Sequence, residues 1–205
     1  MHGRVSPLGD PKDEVLPLHD RAAENLRFIR ETMERAGAFT AVPGRGMIAV
    51  GLTAIGAVLL GPPRVGERRW LVFWLAEAVL ALAVGTVALV RKARAQGIPL
   101  LSRPARRFLL AFSPPLLVGA VLTALAVTHG LGALLPGLWL LLYGTAVLCG
   151  GALSIRIVPL LGISFMALGI AALFAPAALG RPSMAVGFGG LHLCYGVLIA
   201  RWYGG

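Results

Sequence analysis

The chain has 205 residues, of which 57% are hydrophobic and 14% charged, with a mean hydropathy of +0.80 and a formal net charge of +10. A soluble domain of this size has no use for so apolar a composition, which excludes a water-soluble catalytic body and predicts a polytopic membrane protein. The 19 Lys and Arg are spread along the chain whereas seven of the nine acids precede residue 35, so the positive charge flanks apolar runs and reads as membrane anchoring rather than nucleic-acid binding.

Residues 1–18, with Pro7, Pro11 and Pro17 among mixed charges, read as a flexible arm. From Asp20, a suitable N-cap, residues 19–38 predict an amphipathic helix with Ala22, Leu26, Ile29, Met33 and Ala36 on one stripe, supported by oppositely charged pairs such as Arg27 with Glu31 and Arg30 with Glu34. Gly37 can end it. Its polar face is mixed in sign, which favours docking on the protein's own cytoplasmic end over lying on anionic lipid; a partner helix is the other fit.

Six apolar segments follow within 46–203, at about 46–62, 70–90, 108–128, 132–153, 157–178 and 183–201, each near the length that a helix needs to cross a bilayer. Short connectors predict three antiparallel hairpins. GLTAIGA (51–57), VLTALAV (121–127) and GIAALFA (169–175) are faintly alike, and FWLAE ending at Glu77 parallels FGGLH ending at His192, which suits three tandem hairpins, although small apolar residues also recur by chance in membrane helices. With the N-terminus inside, fifteen of the nineteen cations fall on inner segments and only Arg64, Arg68, Arg69 and Arg181 on outer ones, which places both termini in the cytoplasm. No signal peptide precedes the first run, which reads as a retained anchor.

Rare polar residues inside these runs are the candidates for chemistry. Glu77 shares a helical face with Ala81 and Gly85, His192 with Gly196 and Ala200, and Tyr143 with Val147 and Gly151. Small residues on those faces let another helix approach, so each polar group points into the bundle. Glu77 and His192 are expected at similar depth, as a proton-coupling or ligand-coordinating pair or as a buried bond that fixes helix register. Ser113-Pro114-Pro115 removes two backbone donors, which predicts either a helix break lining a cavity or a short interfacial helix followed by a span that starts at Pro115. The loop 91–107 carries Arg91, Lys92, Arg94, Arg103, Arg106 and Arg107 with no acid, and suits lipid headgroups, a phosphate-bearing ligand or an acidic partner. Cys149 and Cys194 fall in apolar runs and read as small buried hydrophobes.

No zinc-protease helix, nucleophile elbow, phosphate-binding loop or paired cysteine motif occurs, so no catalytic residue, metal or cofactor is assigned. Ser113, Ser154 and Ser164 lack local features that would activate them against His192. The strings RAAENLRFIRETMERAGAFTAVPGRG, LPGLWLLLYG and GFGGLHLCYGVLIARWYGG resemble an uncharacterised family of small six-span bacterial membrane proteins over residues 19–205. The resemblance implies a bacterial inner membrane and the same span count, and carries over no functional residue. The expectation is an all-helical, non-enzymatic accessory or sensory membrane protein that meets a partner through its cytoplasmic helix and basic loop, or self-associates through small-residue faces. A small transporter or channel for a proton-coupled or lipophilic solute is the alternative.

Overall fold

The computed structural model describes Asn25, Leu26, Ile29, residues 39–97, Pro99 and residues 102–204. The chain divides into Met1–Gly37 and Ala38–Gly205. In the first unit Asn25, Leu26 and Ile29 are helical; the predicted arm, the rest of the 19–38 helix and its end at Gly37 lie outside the described residues.

The second unit is all-helical, with a single isolated bridge between Phe39 and Ser154 in place of any strand among the described residues. Its helices are α1 Gly44–Leu60, α2 Arg68–Ala95, α3 Arg103–Thr128, α4 Leu135–Gly151, α5 Ile157–Phe174 and the compound helix α6 Ala177–Trp202. Five segments are long and apolar enough to cross a membrane, α4 together with the 3₁₀ turn Gly132–Leu134 before it; α1, at 17 residues, is shorter. Local sequence explains the boundaries. Ser102 caps α3 by accepting from the Ala105 N–H at 3.4 Å, with Pro104 in the first turn, and the positive φ of Gly97 and Gly130 turns the chain away after α2 and α3. Gly66, at φ 84°, lies so close to Gly132 that a side chain on either would run into the other's backbone, which joins the 61–67 connector to the turn before α4.

Packing departs from three simple hairpins. α3 packs on α4 and α2 on α1, as expected of neighbours in sequence, but α5 lies chiefly against α4, and α6 chiefly against α1. Both of the latter contacts are antiparallel and notched by glycine at seven-residue spacing. Side chains on Gly137, Gly144 and Gly151 of α4 would strike α5 at Leu173, Met166 and Val158, and those on Gly162 and Gly169 of α5 would strike α4. Between α1 and α6 the same role falls to Gly44 and Gly51 against Gly189 and Gly196. Seven residues are close to two turns, so one face of each helix is shaved and the backbones meet.

Two expectations are corrected at this level. The helix is not broken at Ser113-Pro114-Pro115: α3 is continuous through both prolines, and Ser113 and Pro114 lie exposed on its outer side rather than against a cavity. The missing donors relieve only the carbonyls of Leu110 and Ala111 of an intrahelical bond, whereas a break on an apolar exterior would strand many more backbone groups. Cys149 and Cys194 are exposed, not buried, because the outer face of these helices is as apolar as the interior and accepts the same residue types.

Candidate functional site

The predicted polar candidates fall on three different places. The first is the middle of the bundle, where α6 leaves α-helical register for a π-helical stretch, Ala185–Leu191, immediately before His192. Such widened turns shift side chains around the helix by a fraction of a turn and recur at functional positions. Here the shift sets His192 Nδ1 3.0 Å from the carbonyl oxygen of Phe188 and Nε2 2.8 Å from the Tyr143 hydroxyl of α4. A carbonyl only accepts, so Nδ1 carries the proton; in the single-proton ring Nε2 then accepts from the Tyr143 O–H. His192 is 4% exposed and Phe165 is fully buried, with ring centroids 5.2 Å apart. Phe188 and Phe165 stand 5.3 and 4.8 Å from the Tyr143 ring, and Phe112 of α3 meets it edge-on at 6.3 Å.

Glu77 stands elsewhere. It shares a stripe of α2 with buried Trp70 and Trp74 and half-buried Ala81, but no helix approaches Gly85 as its spacing predicts, since open space surrounds that position, and the α1 residue beside Glu77 is Thr53. Its Oε1 is buried with no hydrogen-bond partner among the described residues, as is the indole Nε1 of Trp70 two turns before it. The anticipated contact between Glu77 and His192 is therefore not formed, since both nitrogens of His192 are engaged by Tyr143 and Phe188. Stripe periodicity tells which way each residue points, not which helix stands opposite.

The third place is the end of the bundle where α1 and α3 begin and α2 and α6 finish. Most of the basic 91–107 stretch is helix, because α2 runs on to Ala95 and α3 starts at Arg103. Arg91, Arg94, Arg103, Arg106 and Arg107 are exposed there, but Lys92 is not a headgroup-facing residue. It is 8% exposed, and its ammonium donates to the carbonyls of Val42 at 2.8 Å, Tyr203 at 3.0 Å and Gly204 at 2.5 Å. Three oxygens left over where α6 ends and α1 has not yet begun are thus collected by one cation. Alongside, Phe39, Ala41 and Val42 close the end of the bundle, and Phe39 is fixed by its N–H to Leu153 O at 2.8 Å and by Ser154 Oγ–H to its own carbonyl at 2.6 Å.

Three further interhelical bonds went unread in the sequence: Trp139 Nε1–H to Thr123 Oγ1 at 2.8 Å, joining α4 to α3, Ser164 with the Tyr195 hydroxyl at 2.9 Å, joining α5 to α6, and the Arg181 guanidinium to the Val58 carbonyl, joining α6 to α1. Ser154 and Ser164 are thus committed to structural partners, and neither touches His192. Among the described residues no group of three or more His, Cys, Asp or Glu side chains converges. An arrangement of this kind can lock helices in register; among the described residues the hydroxyl that meets His192 is that of Tyr143, and no serine bonds to it. Comparison with family models, with curated proteins and with solved structures finds no match to this chain.

Proposed function

We propose that the chain is an integral protein of a bacterial inner membrane, crossing it six times with both termini in the cytoplasm, and that it acts as a non-enzymatic accessory or sensory subunit through a partner. Five helices of spanning length and composition support the membrane assignment, and the excess of Arg at the end where α1 begins and α6 finishes supports the orientation. The family resemblance in the closing GFGGLHLCYGVLIARWYGG agrees with it.

The observation that carries the functional reading is how the interior is spent. His192, Tyr143, Trp139, Thr123, Ser164 and Tyr195 are all consumed in bonds between helices. The outer faces of α2 and α3, by contrast, are apolar and open. A core so committed supports holding a shape and presenting it, with the helix predicted over 19–37, the basic end and the small-residue faces as contact surfaces for a partner or a second copy. Deleting residues 19–37 is expected to abolish retention of a co-purifying protein while the bundle stays monodisperse. A full-length protein that never retains a partner and stays monomeric would overturn this reading.

Small-solute or proton-coupled transport is the second reading, and the buried Oε1 of Glu77, which has no hydrogen-bond partner among the described residues, favours it. On that reading Glu77→Gln abolishes pH-dependent flux in proteoliposomes; unchanged flux removes it.

A further inference from the structure

We propose that the cleft between the last turns of α2 and the first turns of α3 is a binding site for one anionic phospholipid, whose acyl chain lies against Phe39 and Phe108 and whose phosphate meets Arg94 and Arg106. The inference rests on the membrane assignment above. α2 and α3 are not among the helix pairs that pack along their length. Between them, Leu89 and Ala93 of α2 face Ala105, Phe108 and Leu109 of α3 across an apolar pocket floored by Phe39. The floor is built rather than incidental, since Phe39 is 5% exposed, packs its ring 4.9 Å from that of Phe108 and is tied at both its N–H and its carbonyl.

Charge selects the occupant. The pocket lies within about 10 Å along the helix axes of the ends of α2 and α3, where Arg91, Arg94, Arg103, Arg106 and Arg107 are exposed. Residues 38–205 contain only two acids: Glu67, at the opposite end beside Arg64, and Glu77, four turns back along α2 from Arg91. Lys92 is spent on three carbonyls, so the surface offers guanidinium groups, whose forked donors match a phosphodiester. An apolar slot between two helices whose nearby ends carry exposed arginines fits a two-part ligand, greasy in the slot and anionic towards the helix ends. A free phosphate would leave the slot empty, and a zwitterionic lipid would carry its own cation to the arginines.

The test uses full-length protein in nanodiscs of dioleoylphosphatidylcholine doped with dioleoylphosphatidylglycerol, with retained lipid counted by native mass spectrometry. The glycerol lipid is expected to be retained about tenfold over the choline lipid, and Arg94→Gln with Arg106→Gln to bring that preference below about threefold. Leu109→Trp, at a position 56% exposed and so safe for folding, is expected to fill the slot and lower retention of both lipids at unchanged melting temperature. Equal retention of the two lipids by wild type, an unchanged preference in the arginine variant, unchanged occupancy in Leu109→Trp, or displacement of the lipid by inorganic phosphate would each overturn the proposal. Protein that enters the mixed discs folded yet shows no preference sinks this site alone, whereas protein that stays soluble without detergent sinks the membrane assignment.

Discussion

Where α4 meets α5 the two backbones touch; where α2 meets the rest of the bundle, indole rings stand between. The first kind of contact, shared by α1 with α6, uses glycine to remove side chains, so that main-chain atoms pack at distances no other residue permits. The second uses large flat rings: Trp70 of α2 stacks on Trp139 of α4 at 5.3 Å, Trp74 reaches Phe188 at 6.4 Å, and Phe108 and Phe112 of α3 reach Phe39 and Tyr143. Burial follows the same division: 39% of the apolar window of α4 is buried, against 6% for α2 and none for α3. In an apolar solvent close packing and a few polar bonds hold helices together, because hydrophobic burial supplies little. The glycine-notched pairs are then the rigid frame, and the ring-attached helices are the ones free to adjust to a lipid or a neighbour.

The largest expected effect comes from filling a notch. Gly144→Leu directs a side chain into the backbone at Met166 and Gly162, neither of which can retreat. The expected loss is about 3 kcal/mol or more of stability, or failure to yield folded protein. Thermal unfolding in detergent, followed by helical circular dichroism, reads it. Gly85→Leu is the internal control, because open space surrounds that position on α2, and its expected change is within about 0.5 kcal/mol. Equal losses at the two positions would erase the distinction between frame and outer helix.

Next in size is the loss of an indole. Trp70 is fully buried and stacked on Trp139, yet its Nε1 has no partner among the described residues, so its contribution is packing rather than hydrogen bonding. Trp70→Leu is expected to cost about 2 kcal/mol. The effect should be local: amide exchange is expected to rise along α2 and stay unchanged in α4 and α5. Exchange that rises uniformly would mean that the rings, as much as the glycines, carry the frame.

The fold was legible in the sequence to the extent that each run of apolar residues had to become a helix, and all six did so within a few residues of the expected ends except where α2 and α3 extend into the basic stretch and α6 begins at Ala177, ahead of the expected 183. Lys92 could not be placed from its charge. Only the convergence of Val42, Tyr203 and Gly204, distant in sequence, makes a buried site for an ammonium. The glycine pattern was visible at 137, 144 and 151, at 162 and 169, at 44 and 51, and at 189 and 196. Its meaning lay in pairing, and pairing joins α1 to α6 across the whole chain, which no local spacing encodes. The π-helical turn was equally hidden, since AVGFGGL is a run any apolar helix tolerates.

The smallest expected effect is the most pointed, because it separates two assignments of the same residues. If His192 bonds Tyr143 rather than Glu77, then Tyr143→Phe and His192→Leu must be coupled, while Glu77→Gln and His192→Leu must not. A single interhelical hydrogen bond in apolar surroundings contributes about 0.6 kcal/mol and at most about 1.7. The first double-mutant cycle should return a coupling in that range, and the second should be additive to within about 0.5 kcal/mol. Tyr143→Phe is the cleaner of the singles, since it keeps the ring against Phe165 and Phe188 and removes only the hydroxyl, leaving Nε2 without a donor. Coupling between Glu77 and His192 with none between Tyr143 and His192 would reverse the pairing, and would move the carboxylate from the edge of the frame to its centre.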